Sequence, residues 1–165
     1  MDGWSLLIAA HAAGATLALL LGAYVVLRRR KGDLLHRRLG VVWMASMYWV
    51  SFSSFGIKEL TPGHFSWIHG LSAWTIFSLS MALWAAMTHR VQAHQQWVLG
   101  SYFGLVGAGL AAVAFPQRLV PQTAVHHPLV LLVAIAATAV ATFAVVRVVS
   151  LTRGARAKAM AVSTG

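Results

Sequence analysis

Five long apolar stretches, none of them containing an acidic residue, dominate this chain. They cover residues 4–27, 39–57, 65–87, 96–115 and 128–151, and each reaches or approaches the ~20 residues a helix needs to cross a ~30 Å hydrocarbon layer. Charged residues make up 10% of the sequence, against about 25% in a soluble domain, so apolar surface must meet a solvent other than water. Lipid is that solvent. The fold class expected is an all-α integral membrane protein with five transmembrane helices. The first four would form an antiparallel four-helix bundle, and the fifth would pack outside it or at a homo-oligomer contact.

The connections are short: a basic turn over residues 28–38, a Pro/Gly turn over 58–64, a polar turn over 88–95 and a Pro-bounded segment over 116–127. Residues 1–151 therefore read as one transmembrane domain. Residues 152–165, rich in Ala, Arg and Ser without apolar periodicity, read as a basic tail with a frayed, exposed end. The first stretch follows Met1-Asp2-Gly3-Trp4, with no basic region ahead of it, and is too long for the apolar core of a signal peptide, so it is expected to be a retained helix.

The net charge of +10 does not point to nucleic acid, because the basic residues sit in short clusters between apolar stretches rather than along one face. Arg28, Arg29, Arg30, Lys31, Arg37, Arg38, Arg90, Arg147, Arg153, Arg156 and Lys158 fall on one side of the expected topology; Lys58 and Arg118 fall on the other. The positive-inside rule then puts the N-terminus outside and the C-terminus in the cytoplasm of a bacterial inner membrane.

Polar residues within such a bundle are costly unless they have a partner or a task. Asp2, Asp33 and Glu59 all lie outside the apolar stretches, which excludes carboxylate proton relays, paired-carboxylate hydrolysis and carboxylate-bridged di-iron sites. The absence of Cys excludes thiolate metal sites, iron–sulfur clusters and thiol nucleophiles. Histidine remains, with eight copies. His11 and His69 lie one to two turns inside the first and third stretches from the outer end. His36 and His94 open the second and fourth at the inner surface. The two levels are ~20–25 Å apart, counting ~17 residues at 1.5 Å each, so the four imidazoles cannot converge on one ion.

Zinc wants three or four protein ligands, and a two-His copper site usually recruits Met or Cys, whereas haem iron needs only two axial ligands because the porphyrin supplies the other four. The placement therefore points to two b-type haems, one held by His11 and His69, the other by His36 and His94. Gly14, Gly40 and Gly70, with Gly100 and Gly104 beyond them, would give a flat macrocycle room. Arg37 and Arg38, with Arg90 and Trp97, would meet its propionates. His64, His89, His126 and His127 fall in turns that face water. Trp4, Trp67, Trp97 and the other Trp and Tyr residues read as interfacial belts, and Met44, Met47, Met81 and Met87 as lipid-facing or core filler.

The segments His36-Arg37-Arg38-Leu39-Gly40, Ile68-His69-Gly70 and Ala93-His94-Gln95-Gln96-Trp97, followed by Tyr102-Phe103-Gly104, resemble the bacterial membrane family of domain of unknown function 2306 over residues 8–120. That resemblance implies a compact multi-span membrane protein. The pairing of His11 with His69 and of His36 with His94 is also similar to that of b561-type di-haem cytochromes, where alternate helices of a four-helix core ligate two haems. This implies transmembrane electron transfer by an oxidoreductase subunit or carrier. The chain departs from that group in its loop motifs and in placing a fifth helix last, so ascorbate, superoxide and quinone chemistries do not carry over. The electron donor and acceptor stay unassigned, with a quinone suggested by location alone. The alternative reading is a copper- or zinc-handling or small-solute membrane protein, or a non-catalytic assembly factor, that uses the same His pairs.

Overall fold

The computed structural model describes residues 6–57, 67–114, 125 and 128–163, with side chains described for 6–57, 69–114, 125 and most of 128–148. The described residues form five helices: α1 (Leu6–Leu27), α2 (Leu34–Ser54), α3 (Trp67–Met87), α4 (Val91–Ala114) and α5 (Pro128–Ser163). Three segments, Leu6–Leu27, His69–Met87 and Val91–Ala114, are long and apolar enough to cross a membrane.

α2 starts earlier than residue 39, where the apolar pattern begins. Asp33 caps it: its carboxylate accepts the His36 backbone N–H at 2.9 Å and grips the Arg28 guanidinium at 2.6 and 2.7 Å. One carboxylate thus satisfies an orphan helix donor and links the helix to the end of α1. The hydrogen bond to Asp33 raises the Arg28 pKa above its ordinary value. Lys31 closes the other side of the link by donating to the Val25 and Val26 carbonyls at 2.8 and 2.6 Å. Gly32, with φ 76, makes the left-handed bend between them. His36, Arg37 and Arg38 consequently lie inside a helix rather than in a basic turn.

The link from α3 to α4 contracts to residues 88–90 for a similar reason. Arg90 N–H donates to Ala85 O at 2.8 Å and His89 N–H to Ala86 O at 3.3 Å, with His89 left-handed at φ 58. This is the Schellman closure, built on a His where Gly is usual. α5, in turn, does not stop at 151. It runs to Ser163, since Ala155, Ala157, Ala159, Met160 and Ala161 are strong helix formers, so the basic segment after residue 151 continues the helix.

α1 packs against α2 and α4, and α3 against the same two; α5 lies on α1 and α2. Among the described residues, α1 and α3 make no backbone contact, nor do α2 and α4. α2 presents Leu35, Leu39, Trp43 and Met47, a stripe at four-residue spacing, to Ala18, Leu21 and Val25 of α1 and Leu79 of α3. Trp43 is therefore core and not belt: it is 2% exposed and donates its indole N–H to Ala18 O at 3.0 Å. Gly22 permits this approach, since a Cβ there would stand 2.5 Å from Trp43 Nε1 and 2.8 Å from Tyr102 Cδ2. Hydroxyls elsewhere fold back onto their own helices: Thr16 donates to Ala12 O, Ser78 to Trp74 O, Ser101 to Trp97 O and Thr142 to Thr138 O. That is the economical way to satisfy a hydroxyl away from water. The outward surfaces of α3, α4 and α5 carry Trp74, Phe77, Trp84, Phe103, Leu110, Leu132 and Phe143, all largely exposed, as a lipid environment requires.

Candidate functional site

Short links fold α1 with α2 and α3 with α4 into hairpins, so the molecule has two ends, and each collects two of the four histidines. At the end formed by the starts of α2 and α4, the His36 and His94 rings approach to 6.5 Å between centres, with their planes at 86°. Their helices make no backbone contact, so the two side chains reach toward each other across the interior. His94 Nδ1 lies 2.9 Å from Ala82 O of α3. A carbonyl can only accept, so Nδ1 carries the proton and Nε2 of the neutral ring keeps its lone pair. His36 Nδ1 is buried and has no hydrogen-bond partner among the described residues.

The opposite end is arranged differently. His11 Nδ1 lies 2.9 Å from Ser53 Oγ, near the end of α2. His69, 6% exposed, places its ring 5.7 Å from that of Phe55, the residue that caps α2. Next to them Ser54 and Ser72 are buried and 2.5 Å apart. Both histidines thus rest on the last turn of α2, with hydroxyls around them.

Among the glycines, Gly40 and Gly70 have nothing within 4 Å of where a Cβ would stand, and the same holds for Gly100 and Gly104 on α4. Gly14 is different, because Trp49 Cδ1 of α2 would stand 2.8 Å from its Cβ; that glycine serves helix packing. Of the basic residues, Arg37 donates Nε–H to Gly32 O at 3.1 Å, and Arg90 stacks on Trp84 at 4.6 Å. Arg38 is half-buried at the start of the second turn of α2. Trp97 joins Trp74 and Phe77 in an aromatic cluster with centres 5.5–6.3 Å apart. Of the methionines, Met47 is core, while Met87 is exposed at the end of α3. His89 occupies the α3–α4 turn and is exposed; His64, His126 and His127 lie outside the described residues, as does Trp4.

Ser53 and the Ala82 carbonyl were not legible as site groups. The Ser51-Phe52-Ser53-Ser54 run at the end of an apolar stretch was the available signal for the first. A backbone carbonyl leaves no signal in sequence at all.

Two imidazoles that would share one metal, with bonds of about 2 Å and ring centres about 1 Å farther on, would have centres within roughly 6 Å of each other. The His36–His94 spacing fits that geometry. Among the described residues no three His, Asp or Glu side chains gather into one group, so any metal at either end would take its remaining ligands from another source.

The sequence model of the family described as "Predicted membrane protein (DUF2306)" matches residues 8–150. The chain belongs to that family. The matched segment contains all four histidines and most of the five helices, so both ends of this DUF2306 protein lie within the part that defines it. Neither the curated proteins nor the solved structures compared with the chain gave a match.

Proposed function

We propose that the chain is a transmembrane electron-transfer protein that binds two b-type haems, His36 and His94 holding one and His11 and His69 the other. The observation that carries this reading is the inner pair. Two imidazoles from non-adjacent helices stand 6.5 Å apart, one with Nε2 kept free by its bond to Ala82 O, the other with a buried, unpartnered Nδ1. A buried nitrogen without a partner costs about 1–3 kcal/mol, which a bond from Nδ1 itself to a bound group would remove. Haem supplies one-electron redox chemistry when bound, and porphyrin nitrogens meet the requirement for further ligands.

The residues of the chain then have separable tasks. His94 is oriented by Ala82 O, as metal-ligating histidines usually are by a second-shell acceptor. Gly40, one turn after His36, leaves open space where a Cβ would stand, and Arg37 and Arg38 supply positive charge at that end for carboxylate groups of the cofactor. Leu21, Leu39, Trp43 and Met47 fill the interior between the two levels and exclude water from it. Five membrane spans, an antiparallel bundle of α1 to α4, and a cytoplasmic basic end in a bacterial inner membrane complete the reading. They are supported by three long apolar helices, the hairpin links and the one-sided distribution of Arg and Lys.

The test is the absorption spectrum of the purified protein with its haem content. Two haems per chain with a Soret band and a reducible α-band are expected. Colourless protein carrying stoichiometric copper or zinc would overturn the assignment.

A further inference from the structure

The structure assigns Ser53 as the positioning residue of the outer histidine level; this inference rests on the di-haem reading above. Ser53 is 7% exposed and sits near the end of α2, against α1. Its Oγ lies 3.1 Å from Val50 O and 2.9 Å from His11 Nδ1. A serine hydroxyl has one proton. The Val50 carbonyl can only accept, so that proton goes to it, and the oxygen is left as an acceptor. His11 then donates Nδ1–H toward this edge of α2, where Ser53 Oγ stands at 2.9 Å and the Val50 backbone carbonyl is a second hydrogen-bond partner, which keeps Nε2 of the neutral ring unprotonated and holds the ring plane against α2.

The chemistry matches what Ala82 O does for His94 at the other end: a fixed oxygen takes the Nδ1 proton and leaves Nε2 as the ligating nitrogen. The two ends differ in the kind of acceptor. A backbone carbonyl cannot be removed by substitution, whereas Ser53 can, so the outer level alone has a side chain through which ligand orientation and basicity are adjustable. Ser54 does not substitute for it, since its hydroxyl is bonded to Ser51 O at 2.8 Å and to Ser72 Oγ.

The experiment has two arms on the full chain. In the first, haem-free protein selectively labelled with ¹⁵N-histidine is reconstituted in lipid nanodiscs, and the His11 tautomer is read by NMR. A pyrrole-type Nδ1 and pyridine-type Nε2 are expected in wild type and in Ser53→Thr, with a weaker preference in Ser53→Ala, where only the Val50 carbonyl remains for His11; a wild-type Nε2–H tautomer, or an unchanged preference in Ser53→Ala, overturns the proposal. In the second arm, haem-loaded Ser53→Ala should hold the outer haem about 10- to 100-fold more weakly and shift its midpoint potential, with the inner haem unchanged and Ser53→Thr restoring both. An intact inner-haem spectrum shows that the variant is folded. Wild-type retention and potential in Ser53→Ala would overturn the role of Ser53 while leaving the di-haem reading standing. Failure of the wild type to take up haem would overturn the di-haem reading, and the tautomer measurement would still decide the His11–Ser53 bond.

Discussion

At the His36/His94 end of the molecule, inner in the proposed topology, two histidines meet each other across the interior; at the opposite end, outer in that topology, two histidines each meet the last turn of α2. The sequence pattern treats these pairs as equivalent, one His per alternate helix at matching depth. What separates them is the neighbour that each ring nitrogen finds. Among the described residues, the inner end offers a backbone carbonyl to one ring and nothing to the Nδ1 of the other. The outer end offers a hydroxyl to His11, within a patch of buried serines. Equal residues at equal spacing can therefore make sites with different proton placement and different sensitivity to substitution.

The largest effect that could break this comparison is loss of a whole cofactor. His36→Ala or His94→Ala should remove one haem equivalent per chain and leave the other, and His11→Ala or His69→Ala should do the reverse, read by haem-to-protein ratio and the reduced α-band. If a single variant empties both ends, the two levels are not independent. In proteoliposomes, a spectrally intact single-haem variant from either end should fail to pass electrons from an external impermeant reductant to a trapped acceptor, while wild type does so.

Trp43 lies between the ends and should affect both alike. Trp43→Ala opens a cavity in the core and frees Ala18 O, at a cost of ~3–5 kcal/mol, visible as a lower thermal midpoint of helical signal in detergent. Trp43→Phe keeps most of the volume and should cost much less, about 1 kcal/mol for the lost indole bond. Asp33 is local to the inner end. Asp33→Ala removes the cap of α2 and the partner of Arg28, costing ~1–2 kcal/mol, with faster amide hydrogen exchange over residues 34–38 and no change at residues 50–54. The smallest effect is a gain: His89→Gly relieves a left-handed His in the α3–α4 turn and should stabilise the hairpin by about 0.5–1 kcal/mol in a denaturant titration.

Several elements were legible because they depend on local chemistry. The ends of α1 and α3 match the apolar pattern at Leu27 and Met87, where Arg and turn residues follow. α2 begins at Leu34, ahead of the apolar stretch that opens at residue 39: hydropathy counts 34–38 as polar on average, whereas the cap geometry of Asp33 makes them helical. Trp43 read as a membrane belt because composition cannot tell an indole at the interface from one whose N–H finds a carbonyl on the neighbouring helix. Gly14 and Gly40 looked alike in sequence, yet one receives Trp49 and the other borders open space.

By itself, then, the sequence determined that this chain is helical and made for lipid, that its apolar stretches contain no carboxylate and the chain no thiol, and that four of its eight histidines are spaced toward opposite ends of those stretches. Those properties follow from side-chain transfer energies and from the 1.5 Å rise of a helix, which act residue by residue. Only the tertiary structure decided which helices are neighbours, that His36 and His94 face each other while His11 leans on Ser53, and which oxygen receives each imidazole proton. These depend on how helices are rotated about their own axes, and here that rotation is governed by Trp43 entering the space that Gly22 leaves open. Contacts between residues far apart in the chain choose it, and no local pattern records them.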